Sequence, residues 1–215
     1  MALRKLDGAM LEMAREATPP TTNELETRRE QGSFVQAPSS ISNIPSKRMS
    51  DRFENFDPKR DGMQEALQLV KDVASGKAWC CALLGDGDLG KTHLAIAAMH
   101  AFHDGGLDRS RFWTVPDFLE WLRVRRYGQD RQERSIRDIA SAYLEQDILL
   151  VLDDLGTENA TDWAYEQLYR VINARRDNQL PTIVTSNLGL DALDKRLLAR
   201  LKSGLVVCRK QEAKR

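Results

Sequence analysis

A glycine-rich segment lies between an apolar run and a segment with a helical pattern. Residues 85–92 read GDGDLGKT and match G-x-x-x-x-G-K-[ST] at every defined position. Residues 78–84 form a continuous apolar run, as in a strand buried on both faces, and residues 92–103 have a helical pattern. A strand, a tight loop and a helix in this order predict an α/β fold with a phosphate-binding loop at the end of a strand.

The spacing within the loop has a chemical reason. Glycines let backbone N–H groups turn toward phosphate oxygens, and the positive end of the following helix faces the same point. We expect Lys91 to reach the β- and γ-phosphates of a nucleotide, and the Thr92 hydroxyl to bind Mg²⁺. The alternative is a glycine-rich turn with a solvated lysine. The predicted nucleotide contacts are Gly85, Asp86, Gly87, Asp88, Leu89, Gly90, Lys91, Thr92 and His93.

Two further apolar segments end in polar side chains. Asp153 and Asp154 follow the run at residues 148–152, and Asn187 follows the run at residues 182–186. Because ligands of parallel sheets collect at the carboxyl ends of strands, we expect Asp153 beside the loop, holding Mg²⁺, and Asp154 acting as a general base toward water. Asn187 is expected to orient that water or contact the γ-phosphate. The alternatives are solvated acids in a turn and a simple helix cap.

Strand-like and helical segments alternate along most of the chain. The predicted strands cover residues 78–84, 112–115, 148–152, 182–186 and 205–208. The predicted helices cover residues 64–74, 92–103, 116–126, 131–144, 161–177 and 190–202. This alternation predicts an α/β fold with a five-stranded parallel sheet and helices on both faces.

The composition narrows the class of protein. Basic and acidic residues are balanced at 32 each, so the net charge gives no indication of a nucleic-acid partner, although a local basic patch is compatible with it. The cysteines Cys80, Cys81 and Cys208 form no C-x-x-C pair and indicate a reducing compartment. The N-terminus is too charged for a signal peptide, and no apolar stretch reaches the roughly 18 residues of a membrane span. We therefore expect a cytoplasmic protein with no membrane partner.

The first part of the chain differs from the rest. An apolar stripe with helical spacing predicts a short helix over residues 1–17, and a capping box at Thr21 and Glu24 predicts a second, polar helix. Residues 32–50 are rich in Ser, Pro and Asn and read as a linker. This arm is either a disordered tail or an element that docks on a partner.

Five segments together are typical of one family. They are FENFDP (53–58), GDGDLGKTHLA (85–95), LVLDDLG (150–156), TSNL (185–188) and RLLARLKSG (196–204). In this order and spacing they resemble the DnaC/IstB branch of the AAA+ ATPases, which comprises bacterial helicase loaders and ATPase helpers of certain transposons. The resemblance implies an arm and linker over residues 1–45 and a P-loop AAA+ domain over residues 46–215 that binds ATP with Mg²⁺.

The resemblance also implies roles for individual residues. Phe53 or Phe56 lies near adenine, and we assign Phe56. Asn187 matches the residue called sensor 1. Arg200 matches the arginine that reaches the γ-phosphate held by a neighbouring subunit, so the active form is a homo-oligomer with a shared ATP site. The alternative for Arg200 is an exposed helix arginine, with Arg196 as the fallback. The predicted catalytic set is Lys91, Asp154, Asn187 and Arg200.

A basic helix is the candidate DNA contact. In the helicase-loader and initiator branch, the helix that matches residues 118–126 lines the centre of the assembly and touches single-stranded DNA. The side chains suited to phosphate contacts and base stacking are Arg123, Arg125, Arg126 and Tyr127. The alternative is a solvated amphipathic helix with Phe118, Leu119 and Leu122 against the core.

Two departures from the family affect the expected activity. Asp154 stands where many AAA+ proteins have Glu, and the shorter side chain predicts slow hydrolysis. The sequence ends at Arg215, directly after the last predicted strand, so no C-terminal lid domain is expected.

The leading hypothesis is a DNA replication protein. It would bind ATP, hydrolyse it slowly and load a replicative helicase, held by the arm, onto single-stranded DNA. One alternative is an IstB-type transposon helper that binds duplex DNA. Another is a small-molecule phosphotransferase with the same loop.

Overall fold

The structure, a computed structural model, describes residues 41–42, 44–57, 63–106, 109–127, 148–157 and 161–210. The chain divides into two units, residues 1–39 and residues 40–215, and all described residues belong to the second. The helices predicted before residue 32 and over residues 131–144 lie outside the described residues. Within the described part of the chain, no helix combines the length and the apolar character that crossing a bilayer needs.

The apolar runs of the sequence form the strands of one parallel sheet. The strands are β1 (Ile41–Ser42), β2 (Cys80–Gly85), β3 (Arg109–Thr114), β4 (Ile148–Asp153), β5 (Thr182–Ser186) and β6 (Leu205–Cys208). They lie in the order β1-β3-β4-β5-β2-β6, and every neighbouring pair is parallel. Every residue of β2, β4 and β5 is buried, which explains why these strands lack an alternation of polar and apolar residues.

Helices cover both faces of the sheet. The helices are α1 (Gln64–Ala74), α2 (Lys91–Asp104), α3 (Val115–Tyr127), α4 (Asp162–Asp177) and α5 (Lys195–Leu201), with 3-10 turns at Ser46–Arg48, Phe53–Asn55, Leu190–Ala192 and Lys202–Gly204. Helices α1 and α2 share one apolar core with Leu83 and Ile183 of the sheet, and α3, α4 and α5 share another with Leu84 and Val184. Alternate residues of one strand therefore enter different cores, as a parallel sheet between two helical layers requires.

The structure confirms the predicted five-stranded parallel sheet and adds one short strand. Strand β1 lies in the segment that reads as a linker, where Ile41 pairs with Ser110 and Ser42 pairs with Arg111. A strand of two residues is too short to show a sequence pattern. Its conformation is set by the edge of β3, whose backbone groups pair with a further strand.

The helix predicted over residues 190–202 is divided into a 3-10 turn at Leu190–Ala192 and the helix α5. Asp194 sets the start of α5, because its Oδ1 accepts hydrogen bonds from the backbone N–H groups of Arg196, at 2.9 Å, and Leu197, at 3.2 Å. A side chain that caps an N-terminus in this way stops the helix from extending further back along the chain.

A buried arginine ties the starts of β4 and β5 together. Arg175 of α4 is 0% exposed. Its Nε donates to Oγ1 of Thr182 at 2.8 Å, and its Nη2 donates to the carbonyl oxygens of Ile148 at 2.6 Å and Pro181 at 3.0 Å. One guanidinium thus fixes the relative positions of two strands whose opposite ends carry the polar residues singled out by the sequence.

Replacing Arg175 with leucine is expected to lower the free energy of unfolding by about 3 kcal/mol, because buried carbonyl groups lose charged donors. Urea denaturation followed by circular dichroism measures the change. The neighbouring Arg176, which is only partly buried, supplies the control: Arg176→Leu is expected to cost less than about 1 kcal/mol. Equal losses in the two variants would contradict the role given to Arg175.

Candidate functional site

The segment between β2 and α2 forms a tight loop that depends on positive φ angles. Gly85 has φ +115°, and Gly90, the N-cap of α2, has φ +94°. Asp88 also lies in the left-handed region, at φ +63°, which Asp tolerates better than most residues. Turns of this kind direct backbone N–H groups toward one concave side, where the N-terminus of α2 adds positive potential. The loop has the shape that holds phosphate oxygens.

The side chains of the loop face different surroundings. Leu89 is 1% exposed and packs in the core with α1 and α2, so only its backbone is free to face a ligand. Asp86 and Asp88 are exposed, as expected for carboxylates kept away from a polyanion. Leu89 therefore anchors the loop.

The base of the loop is held against β6 and the end of β5. The backbone N–H of Gly85 donates to the carbonyl oxygen of Leu188, and that of Asp86 donates to the carbonyl oxygen of Cys208, both at 3.1 Å. The backbone N–H of Lys210 donates in turn to Oδ2 of Asp86 at 2.8 Å. A Cβ at Gly85 would lie 2.1 Å from the carbonyl oxygen of Cys208. Only glycine allows the loop to approach β6 this closely.

Gly85→Ala is expected to lower the free energy of unfolding by at least about 2 kcal/mol, since the methyl group meets backbone and φ is positive. Gly87→Ala is the matched control, because a Cβ at Gly87 would have no neighbour within 4 Å. Thermal unfolding of both variants measures the difference. A Gly85→Ala protein as stable as Gly87→Ala would show that β6 does not hold the loop in this way.

Lys91 begins α2, and its side chain folds back over the loop. Its Nζ donates to the carbonyl oxygen of Gly85 at 2.9 Å and also to that of Asp86. The residue is 4% exposed. Burial lowers the pKa of Lys91, while neighbouring acidic groups act in the opposite direction. The ammonium group is thus held at the mouth of the loop, where the predicted phosphate contact requires it.

Thr92 and Asp153 come together as the predicted metal pair. Oγ1 of Thr92 donates to the Asp153 carboxylate, with distances of 3.0 Å to Oδ1 and 3.3 Å to Oδ2. Asp153 ends β4 and is 4% exposed. Burial raises the pKa of Asp153, and hydrogen bonds from Thr185 and Thr92 act against that rise. Because the Thr92 proton points to the carboxylate, the lone pairs of its oxygen remain available to a cation.

Asp154 and Asn187 lie next to this pair. Asp154 follows β4 with φ +59°, and its Oδ1 accepts a hydrogen bond from Nδ2 of Asn187 at 3.3 Å. Ser186 donates to the carbonyl oxygen of Leu155 at 2.5 Å, and the backbone N–H of Leu155 donates to the carbonyl oxygen of Thr185 at 2.8 Å. The residues that follow β4 are therefore bound to the end of β5, which brings an exposed amide and a carboxylate together.

Phe56 and His93 lie against the loop on the side of α2. Their ring centroids are 5.3 Å apart, and a Cβ at Gly90 would lie 2.7 Å from Cε2 of Phe56. Nε2 of His93 lies 2.9 Å from the carbonyl oxygen of Arg52, and its Nδ1 lies 3.7 Å from Oδ1 of Asp51. Both ring nitrogens of His93 face groups of residues 51–52. His93 therefore links residues 51–56 to α2, and this brings Phe56 beside the loop.

Arg200 contacts α4. Its Nε donates to Oδ1 of Asn173 at 2.6 Å, and its Nη2 donates to the hydroxyl of Tyr169 at 2.7 Å. The guanidinium carbon also lies 5.3 Å from the centroid of the Tyr169 ring. Arg196 is more exposed and pairs with Asp194 at 3.5 Å. Arg200 is therefore held in a defined position by the face that α4 and α5 share.

The basic helix α3 packs one side into the core. Phe118, Leu119 and Leu122 are at most 5% exposed, so the amphipathic interpretation holds for its inner face. Arg123 on the outer side donates to Oε2 of Glu120 at 3.0 Å, and its guanidinium carbon lies 5.1 Å from the centroid of the Trp163 ring. The side chains of Arg125, Arg126 and Tyr127, on the same helix, lie outside the described part of the chain.

One residue of the site was missed by sequence reasoning. Thr185 is 1% exposed, and its Oγ1 lies 2.5 Å from Oδ1 of Asp153 and 3.1 Å from the backbone N of Asp154. A signal was present, because a hydroxyl in a strand buried on both faces needs a hydrogen-bond partner. The sequence alone does not say which partner it has.

The groups at the loop fit a nucleoside triphosphate with Mg²⁺. The positive φ angles of Gly85 and Gly90 shape a cradle of backbone N–H groups, and Lys91 adds a positive charge. Thr92 and Asp153 supply oxygen ligands, which Mg²⁺ prefers. Mg²⁺ commonly takes one or two carboxylates from the protein, with substrate phosphates and water as its other ligands. ATP with Mg²⁺ is therefore compatible with this site.

Comparisons with known proteins identify the family of the chain. The family described as "IstB-like ATP binding protein" matches residues 22–201. The replicative helicase loader DnaI of Bacillus subtilis (strain 168) is 28% identical over 140 residues, which are 64% of this chain and 43% of DnaI. The chain spans between 30% and 43% of the length of the curated relatives it matches.

Two solved structures show the fold. The crystal structure of the DnaC helicase loader matches with a TM-score of 0.62 and 22% identity, over 77% of this chain and 100% of that one. The replication initiator DnaA, bound to AMPPCP and single-stranded DNA, matches with a TM-score of 0.60 and 22% identity, over 74% of this chain and 50% of that one. They share the P-loop AAA+ core predicted from the sequence.

The family match covers residues 22–201, which is most of the chain. The chain belongs to the family of IstB-like ATP-binding proteins, in the DnaC/IstB branch of the AAA+ ATPases.

Proposed function

We propose that this protein is a slow ATPase that loads a replicative helicase onto single-stranded DNA. The observation that carries the proposal is the cluster of Thr92, Asp153, Asp154 and Asn187 beside a phosphate-binding loop. This cluster combines a metal-binding pair, a carboxylate that accepts protons and an amide, which are the groups that phosphoryl transfer to water requires. The likeness to DnaI and to the DnaC helicase loader supports the choice of partner.

Each residue of the cluster has a separate role in the proposed reaction. The loop and Lys91 bind the phosphates, and Thr92 and Asp153 hold Mg²⁺, which neutralises phosphate charge when bound. Asp154 accepts a proton from the attacking water, and Asn187 orients that water. The Asp154 carboxylate is short and already accepts a hydrogen bond from Asn187. Both features favour slow hydrolysis, in which ATP serves as a switch.

The active form is proposed to be a homo-oligomer in which Arg200 reaches the γ-phosphate held by a neighbouring subunit. Arg200 lies on α5, and Tyr169 and Asn173 fix its guanidinium without neutralising its charge. An arginine held this way keeps its full charge for a phosphate group supplied by another subunit.

The proposed contacts with other macromolecules lie in two further regions. Helix α3, with Arg123, Arg125, Arg126 and Tyr127, is proposed to contact single-stranded DNA through phosphates and stacked bases. The arm and linker at residues 1–45 are proposed to hold the helicase through the apolar stripe of the first predicted helix. The AAA+ domain is proposed to comprise residues 46–215, with β1 of the linker added at the edge of its sheet.

An IstB-type transposon helper is the second candidate, and the description of the matched family favours it. In that case the protein would bind duplex DNA and recruit a transposase. The two candidates differ in both their DNA and their protein partner, so the same experiment separates them.

The test is a pull-down combined with DNA binding. The purified full chain is immobilised and offered a replicative helicase or a transposase in the presence of ATP, and its affinity for labelled single-stranded and duplex DNA is measured by fluorescence anisotropy. We expect capture of the helicase and preference for single strands. Met10→Asp, which places a charge on the predicted stripe formed by Leu6, Met10, Met13 and Ala14, is expected to lose that capture, but the control Glu12→Gln, outside the stripe, is not. Capture of the transposase together with preference for duplex DNA would favour the IstB-type function instead.

A further inference from the structure

Thr185 occupies a position where strand β5 passes the end of β4. The backbone pairing of β4 with β5 runs as far as Leu152 and Val184. Beyond that point the backbone N–H of Leu155 still donates to the carbonyl oxygen of Thr185. The side chain of Thr185 adds hydrogen bonds with Asp153 and with the backbone of Asp154. The residue is 1% exposed, so its hydroxyl makes its hydrogen bonds within the protein.

The direction of these hydrogen bonds is fixed. The backbone N–H of Asp154 can only donate, and it donates to Oγ1 of Thr185 at 3.1 Å. The single proton of the hydroxyl is then available for Asp153, whose Oδ1 accepts it at 2.5 Å. Thr185 therefore acts as a donor to the carboxylate, and its own orientation is set by the backbone of the residue that follows that carboxylate.

Thr92 approaches the same carboxylate from α2, at 3.0 Å from Oδ1. With one hydroxyl on α2 and another on β5, the Asp153 carboxylate is held between two donors that belong to different elements. Hydrogen bonds of this kind orient a carboxylate that binds a metal.

We propose that Thr185 is a positioning residue for the magnesium site, holding Asp153 in the orientation that binds Mg²⁺ with the nucleotide. The inference rests on the Mg-ATP part of the proposed function. Residues that orient a metal ligand through a hydrogen bond typically change metal affinity by about 10- to 100-fold when they are removed. Binding of the nucleotide through the loop itself does not depend on Thr185.

Thr182 supplies a matched control on the same strand. It is also fully buried, and its Oγ1 donates to the carbonyl oxygen of Leu180 and accepts from Nε of Arg175, both at 2.8 Å. Thr182→Val therefore makes the same chemical change as Thr185→Val at the opposite end of β5. Comparing the two variants separates a general loss of stability from an effect on the binding of Mg²⁺.

The experiment measures binding of a fluorescent ATP analogue by anisotropy, in EDTA and across a series of Mg²⁺ concentrations. We expect Thr185→Val to raise the Mg²⁺ concentration for half-maximal enhancement of binding by about 10-fold or more, with binding in EDTA unchanged. Thr185→Ser, which keeps the hydroxyl, is expected to retain the parental Mg²⁺ dependence, and so is Thr182→Val. If Thr185→Val does not fold, Thr185→Ala makes the same test, since it also lacks the hydroxyl.

Two results would overturn the inference. One is an unchanged Mg²⁺ dependence in Thr185→Val. The other is an equal loss of binding with and without Mg²⁺, which indicates a structural role alone. A parent protein whose binding does not respond to Mg²⁺ contradicts the proposed magnesium site itself, so failure of the function and failure of the role of Thr185 are distinguishable.

Discussion

Lys91→Met is expected to reduce ATP hydrolysis by at least about 100-fold and to weaken binding of the nucleotide, because the loop would lose the ammonium group that is proposed to contact the phosphates. Methionine keeps the length and much of the volume of the lysine stem, so the buried position of Lys91 is filled. The phosphates would face backbone N–H groups without the ammonium group that Gly85 and Asp86 hold at the mouth of the loop. Phosphate release and anisotropy of a fluorescent ATP analogue measure the two effects.

The control for this prediction is Lys77→Ala, which removes an exposed lysine outside the loop. Its hydrolysis and binding are expected to match those of the parent. Circular dichroism establishes that Lys91→Met remains folded. A folded Lys91→Met protein with parental binding and hydrolysis would show that this loop is not the ATP site.

Arg200→Ala is expected to lower hydrolysis by about 1,000-fold while binding of ATP is retained. In the proposed shared site the guanidinium would stabilise charge on the phosphoryl group as it is transferred. Losing an interaction made only in the transition state lowers the rate without changing affinity. Steady-state phosphate release and nucleotide binding, measured on the same preparation, separate the two quantities.

Arg196→Ala is the comparison for this variant, since Arg196 lies on the same helix and is 70% exposed. It is expected to hydrolyse ATP at the parental rate. Because Arg200 also packs on Tyr169 and Asn173, thermal unfolding of Arg200→Ala checks that α5 remains in place. Loss of hydrolysis in Arg196→Ala, with parental hydrolysis in Arg200→Ala, would move the role to Arg196.

Local sequence patterns were sufficient to predict the central strands and the loop. The apolar runs that became β2, β4 and β5 are buried on both faces, so the hydrophobic pattern alone identifies them. The glycine-rich segment is predictable for a similar reason, because its backbone requires positive φ at fixed positions. Local chemistry also sets the start of α4, because Thr is a residue type that favours N-caps and Oγ1 of Thr161 accepts a hydrogen bond from the backbone N–H of Ala164 at 3.2 Å.

The structural features that were not predicted from the sequence depend on contacts between distant parts of the chain. The pairing of β1 with β3, the approach of Gly85 to β6, and the contact of Thr185 with Asp153 each join residues at least 32 positions apart. No local periodicity reports such contacts. The start of α5 was missed for a different reason, because Asp194 can either continue a helix or cap one, and the pattern of residues 190–202 fits both.

ATP hydrolysis measured against protein concentration tests whether the protein is an ATPase that works as an oligomer on single-stranded DNA. The parent and Arg200→Ala are compared with and without single-stranded DNA. We predict that specific activity of the parent rises with concentration, responds to single strands and is lost in Arg200→Ala. Activity that is independent of concentration, of DNA and of Arg200 would contradict the shared site and would favour a phosphotransferase that acts as a monomer.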